Sequence, residues 1–265
     1  MNIHPTAICA LVACLLCSTA FAQERAVRQA HFELDISSVE LDTSDSTSSG
    51  AIGADFAATL PLGRFFGLSL GGGYERSRVR TREVLEDESG QLAGTRPSCT
   101  FDSIVGTATL FARVPSFGRL SVGYDIGDLS TDCDGVALFP TSGKDDQSTD
   151  GYRYALEAYL GNFTLGASHI VTQLENGPEL ETTTVSASWY PLDSLKVELF
   201  GNDLYEDDTY GLRLEHQPEI FGDGLGVHLS FAKTDASPST RTWELGIAYY
   251  FGRRVALKTR DREYR

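Results

Sequence analysis

Beyond its first twenty-two residues the chain has no stretch near the ~20 continuous apolar residues that a membrane helix needs. Cations are scarce too: 22 Lys and Arg stand against 37 Asp and Glu, for a net charge of -15. Such acidity excludes a nucleic-acid partner, whose phosphates require a basic face. Cysteine is sparse, and three of the five (Cys9, Cys14, Cys17) fall in the first seventeen residues. No His or Cys set has the spacing of a metal site, so neither a metal nor a cofactor is expected. No repeat of 20–50 residues marks a solenoid or a propeller.

What is present begins with residues 1–22, an apolar leader ending Ala20-Phe21-Ala22. Small residues flanking that cut site predict a secretory signal peptide and a mature chain from Gln23. A rival reading takes Leu11-Val12-Ala13-Cys14 as a lipoprotein box with Cys14 lipidated. The leader has no Asp, Glu, Lys or Arg, so the whole formal charge belongs to residues 23–265. With the cut at Ala22, Cys99 and Cys133 remain, and an oxidising compartment suits one disulfide between them. Closing that loop stabilises by roughly 3–4 kcal/mol on chain-entropy reasoning. Two free thiols are the alternative.

The mature chain alternates. Trp243, Leu245, Ile247, Tyr249 and Phe251 interleave with Thr242, Glu244, Gly246, Ala248 and Tyr250. A period of two puts one set on each face of a strand. About a dozen runs do the same. They include 27–39 with Phe32 and Leu34, 50–60 with Ile52 and Phe56, and the segments around Leu70, Leu110, Val122, Leu156 and Leu165. Further runs centre on Ala187, Val197, Leu212 and Leu229. Five connections are short Pro, Gly, Asn and Asp clusters with turn chemistry: 61–64, 115–118, 161–162, 191–194 and 218–224. They alternate with longer polar ones near 40–49, 80–100, 128–150, 173–181, 204–208 and 235–240. Nine or more tilted strand residues cross a bilayer, and lipid tolerates strands only as a closed barrel. The predicted fold is all-β, a transmembrane antiparallel up-and-down β-barrel of about 12 strands. A count of ten or fourteen follows if one hairpin is misread. A soluble sandwich or lipocalin-like barrel is the competing fold, disfavoured by the charge on the inward face.

Gly246-Ile247-Ala248-Tyr249-Tyr250-Phe251 resembles the closing strand of Gram-negative bacterial outer-membrane β-barrel proteins, with Gly246, Tyr249 and Phe251 as the barrel-closing signal. The resemblance covers the mature chain and specifies no subfamily. It implies an outer-membrane location, lipid and lipopolysaccharide as surroundings, and the barrel-assembly machinery as a partner through the last strand. The family's aromatic usually ends the chain. Here 253–265 follows, read as a basic periplasmic tail after a barrel spanning 23–252, with a thirteenth half-strand through Val255 and Leu257 as the alternative.

If Leu, Ile, Val and Tyr face lipid, the residues between them line a lumen: Glu33, Asp35, Asp55, Arg119, Asp125, Arg153, Glu157, Lys196, Glu198, Arg213, Glu215 and Glu244. So many charges are ruinous on a lipid face and costly in a dry core. Surplus carboxylates favour cations. The expected function is a monomeric porin-like channel for passive diffusion of small hydrophilic solutes, leaning to cations. The alternative is a barrel plugged by its own mixed charges, acting as a structural or surface-interaction protein. A hydrolase ranks third: Ser168-His169 and His228 with Ser230 lack a surrounding motif, and neighbours such as Ser168 and His169 point to opposite faces. No enzyme is expected. The acidic loops at Asp145-Asp146 and Glu206-Asp207-Asp208 match no calcium-loop spacing.

Overall fold

The computed structural model describes residues 25–43, 48–80, 84–86, 92–95, 99–133, 146–175, 177, 179–204, 207–236 and 239–265. The leader, the 1–22 boundary, Gln23, Asp145 and Glu206 lie outside the described residues. The strands are β1 (His31–Thr43), β2 (Ser48–Pro61), β3 (Phe66–Arg80), β4 (Val84–Glu86), β5 (Leu92–Thr95), β6 (Cys99–Val114) and β7 (Gly118–Cys133). After them come β8 (Asp146–Leu160), β9 (Phe163–Leu174), β10 (Glu179–Leu192), β11 (Leu195–Leu204), β12 (Asp207–His216), β13 (Leu225–Thr234) and β14 (Thr240–Phe251). One α-helix, α1 (Leu257–Glu263), follows.

All strands but β4 and β5 form one closed antiparallel barrel, each paired with its sequence neighbours, and β14 closes on β1. The closing seam runs from Phe32 opposite Phe251 to Thr43 opposite Thr240. Closure removes the unpaired edge that lipid forbids. β4 and β5 form a separate hairpin within the 80–100 connection, which sequence periodicity did not indicate.

The alternation in sequence becomes alternation in exposure. Phe32, Leu34 and Ile36 point outward on β1, while His31, Glu33 and Asp35 point in. Outward apolar side chains such as Ile52, Ile104, Val185 and Leu245 continue the belt around the barrel. The barrel strands hold 10 to 16 residues and are longest in β6 and β7. About 9–11 tilted residues suffice to cross lipid, so those two rise past the belt toward the long connections.

One end of the barrel carries the tight turns. At Gly161-Asn162 the chain reverses through a glycine at φ 61, a left-handed conformation that strains any residue with a Cβ. The described residues begin and end at this short-turn end. Residues 27–30, expected as strand, instead form an irregular segment: the Ala26 amide donates to the Arg64 carbonyl, and Ala26 and Val27 are wholly buried against Phe111. A Cβ at Gly67 would collide with Phe111 and Val27, so the glycine makes room for them. After β14 the chain turns at Gly252 (φ 99), and α1 occupies 257–263 in place of a further strand.

Candidate functional site: a charged lumen with an occupied end

The inward residues form three groups at different depths. The deepest lies at the short-turn end, where wall residues Glu33, Lys196 and Glu215 meet the C-terminal segment. Arg260 of α1 is 1% exposed and bonds Glu215. Lys196 Nζ lies 2.9 Å from Glu215 Oε2 and 3.5 Å from Asp261 Oδ2. Arg265 reaches Glu33 at 3.0 Å and Asp261 at 3.4 Å. The Tyr250 and Tyr190 hydroxyls donate to Glu215 and Asp261 at 3.1 and 2.9 Å. The Arg260 guanidinium also lies over the Tyr250 ring at 3.5 Å. Arg262 donates to the carbonyls of Gly161 and Phe163, each at 2.7 Å, and so ties the helix to a turn. Glu263 pairs with Arg28, and its carbonyl accepts from the Arg28 amide, joining the two termini.

Burial disfavours a charged guanidinium, yet Asp261 and Glu215 outweigh it and hold Arg260 above its ordinary value. For Arg265, burial is likewise overcome, here by Glu33 first and then Glu215, and the guanidinium titrates well above its usual range. These cations stay charged, and their pairing is what makes burial tolerable.

The second group is on β7 and β8. Arg153 bonds Asp125 at 3.1 Å, Arg119 approaches Glu157 at 3.9 Å, and the Tyr159 hydroxyl donates to Glu157 at 2.8 Å. Arg119 also donates to the Arg265 carbonyl at 3.4 Å, so this wall touches the end of the chain. Between this wall and α1 lies a cavity of about 230 Å³, lined by Glu157, Ser186, Glu198, Asp261, Arg262 and Arg265 among others. Glu198 accepts from Ser188 at 2.7 Å and sits opposite Arg213 in register.

The third group is acidic. Asp35 stands opposite Asp55 across β1 and β2. His228 lies between two carboxylates, Nδ1 3.4 Å from Asp35 and Nε2 3.2 Å from Glu244. Gly246 faces inward beneath that ring, where a Cβ would collide with it. Glu75 on β3 shares the inward face with Gly73. Among the described inward residues here, His228 contacts Asp35 and Glu244 and Arg213 attracts the same two, while Asp55 and Glu75 stand beside further carboxylates.

The remaining sequence candidates are also located. Tyr249 and Phe251 point outward with rings 4.7 Å apart, beside β1. Cys99 and Cys133 are direct register partners at the top of β6 and β7. His228 spends both ring nitrogens on carboxylates, which leaves none to activate Ser230. His169 points outward and contacts Thr183, away from inward Ser168. Among the described residues no group of three His, Cys, Asp or Glu side chains could hold a metal ion.

Sequence reading missed Tyr190, Tyr250, Arg260, Asp261 and Arg265 as lumen residues. One signal was available: a basic tail on an otherwise strongly acidic chain is a natural partner for that chain's own carboxylates.

No protein-family profile and no curated protein sequence matches the chain. Solved structures do match in shape. An outer-membrane channel of Pseudomonas putida F1 aligns with TM-score 0.59 at 8% identity, over 88% of this chain and 99% of that one. The KdgM porin, solved with disordered oligogalacturonate, gives 0.52 at 10% identity over 83% and 99%. The translocator domain of the autotransporter NalP of Neisseria meningitidis gives 0.50 at 11% identity over 92% and 96%. Proteins with such different tasks share the architecture, and identities this low establish the fold alone. The chain folds as a closed twelve-stranded antiparallel β-barrel, an architecture it shares with these outer-membrane proteins.

Proposed function

We propose that the protein is an outer-membrane channel for small hydrophilic solutes, leaning to cations, whose periplasmic mouth is occupied by its own C-terminal helix. The observation that carries this reading is the carboxylate surplus at mid-lumen, Asp35, Asp55, Glu75 and Glu244 against Arg213 and His228. A dry interior does not tolerate unpaired carboxylates, whereas a hydrated one does, and a ring of acids attracts cations. The short turns then face the periplasm and the long connections the exterior. The proposal includes a cleaved leader over 1–22, a barrel over 23–252, a Gram-negative source and a monomeric state. It also includes recognition by the assembly machinery through β14 and a disulfide between Cys99 and Cys133, for which their direct register is the support.

A second reading, a closed barrel used as an anchor or surface-interaction protein, is favoured by one observation: the charges of the C-terminal helix are matched by the wall. Planar-bilayer recording under a KCl gradient separates the two. The full chain is expected to conduct weakly or in brief bursts, and a chain ending at Gly252 is expected to show stable, cation-selective steps. Silence from both, with the barrel still folded, would establish the anchor instead.

A further inference from the structure

Outside the lumen, the face of β3 that carries Leu70 and Tyr74 into the lipid belt continues upward through Arg76 and Arg78. Alternation allows no other face for them. Both arginines border a groove of about 670 Å³ on the outer wall, together with Ser38 and Glu40 of β1 and Gly50 and Ile52 of β2. The groove exists because its floor is small: Gly50 stands opposite Arg78 in register and offers no side chain. Arg76 has Asp102 at 3.7 Å, but that carboxylate already accepts the Tyr74 hydroxyl at 2.5 Å. Among the described residues Arg78 has no acidic partner.

A cation on the outer wall belongs at headgroup depth, where its cost on the lipid face falls to about 0–1 kcal/mol, against ~2–4 at the midplane. Tyr74 directly below marks that depth, as amphipathic rings do. Two neighbouring guanidinium forks, that of Arg78 set beside the bare Gly50 and that of Arg76 beside Ile52, match the planar, bidentate recognition of a phosphate. Glu40 lies across the groove and Asp102 beside Arg76, so Arg78 is the lining cation with no acid bonded to it among the described residues.

We propose that this groove, built by Arg76 and Arg78 over Gly50, binds the phosphate of an outer-leaflet glycolipid, the phosphorylated lipid A part of lipopolysaccharide. The inference rests on the orientation given under the proposed function, which sets the long connections outside. The probe is lipid A with both phosphates, compared with lipid A stripped of them, titrated against the folded full-length protein in neutral detergent. The phosphorylated form is expected to bind at least about tenfold more tightly, the scale of one charge-assisted hydrogen-bond set. The doubly substituted Arg76→Gln, Arg78→Gln protein is expected to lose that preference. Arg241→Gln, an outward arginine beyond the groove, is expected to keep it.

Three results overturn the inference: equal binding of the two lipids, an unchanged preference in the double variant, or an equal loss in Arg241→Gln. Displacement of the lipid by millimolar inorganic phosphate would indicate a site for the free ion and would also overturn it. Heat-modifiable migration on gels verifies that each variant is folded. Conductance does not enter this test, so failure of the channel reading and failure of the lipid site are separately visible.

Discussion

The deep lumen and the middle lumen are built from the same residue types and differ in how the charges are answered. At the short-turn end Glu33, Glu215 and Asp261 face Lys196, Arg260 and Arg265, with the Tyr190 and Tyr250 hydroxyls as further donors. At mid-lumen Asp35 and Glu244 share His228 and Arg213, and Asp55 and Glu75 stand beside further carboxylates. An ionised carboxylate out of water survives only beside a partner, because several kcal/mol of desolvation must be offset. The matched end can therefore bury its charges, apart from the polar cavity of about 230 Å³ beside α1. The unmatched middle requires water, and water is the medium of permeation.

The largest effect expected from this contrast comes from removing residues 253–265. The barrel strands lose none of their ladder partners, since β14 ends at Phe251 and pairs with β1 and β13. The deep carboxylates and Lys196 then meet water instead of the helix. Single-channel recording should show a rise from near silence to steady conductance, with the folded band on gels unchanged. A truncated protein as silent as the parent would mean that the middle, too, is blocked, and the contrast between the two depths would fail.

Next in size is Glu215→Gln. Glu215 is 3% exposed and answers Arg260, Lys196 and the Tyr250 hydroxyl together. Taking away its charge leaves Lys196 and Arg260 to share Asp261 alone, a loss toward the lower end of the about 3–5 kcal/mol of broken buried pairs. The loss should appear as faster amide exchange across Leu257–Glu263 and as frequent openings in the full chain. Adding Lys196→Met should recover part of it, since a cation then leaves with the acid; a purely additive double variant would remove the pairing argument.

A smaller change, confined to selectivity, is expected from Asp35→Asn with Glu244→Gln. In the truncated background the cation preference should fall, read as a reversal potential closer to zero, while conductance stays within about twofold. The same pair in the full chain should leave exchange across α1 unaltered, because neither residue touches the helix. A variant that retained full cation selectivity would move the filter elsewhere.

Most of the barrel was legible in the sequence, and the reason is local. Strand periodicity puts neighbours such as Trp243, Leu245 and Ile247 on one face regardless of what lies across from them, and turn chemistry at Gly161-Asn162 sets where pairing reverses. The deep site was not legible, because it is made by contacts between distant segments: Arg265 meets Glu33 across 232 positions and Arg262 meets Gly161 across 101. α1 is only seven residues and has no apolar stripe to mark it. Its burial follows from matching charge rather than hydrophobic pattern. Glu75 escaped for a related reason, and His228 was read only beside Ser230, since a single polar residue on a strand does not reveal which carboxylates the closed barrel will bring beside it.

The smallest expected effect tests how finely the deep site is balanced. Tyr250→Phe deletes one hydrogen bond to Glu215 and keeps the ring under the Arg260 guanidinium. A neutral donor to a charged acceptor contributes about 1.5–3 kcal/mol in general, but Lys196 and Arg260 continue to satisfy Glu215, so a loss near 1 kcal/mol is expected. Amide exchange across the helix should quicken about fivefold, without detectable openings. Tyr190→Phe, which deletes the corresponding bond to Asp261, should match it, because Asp261 likewise keeps Lys196 and Arg265. Equal, small losses would mean that the matched end is held by redundancy. A large loss from either tyrosine alone would mean that its carboxylate depends on that one hydroxyl, and that the charges around it are less well satisfied than their distances imply.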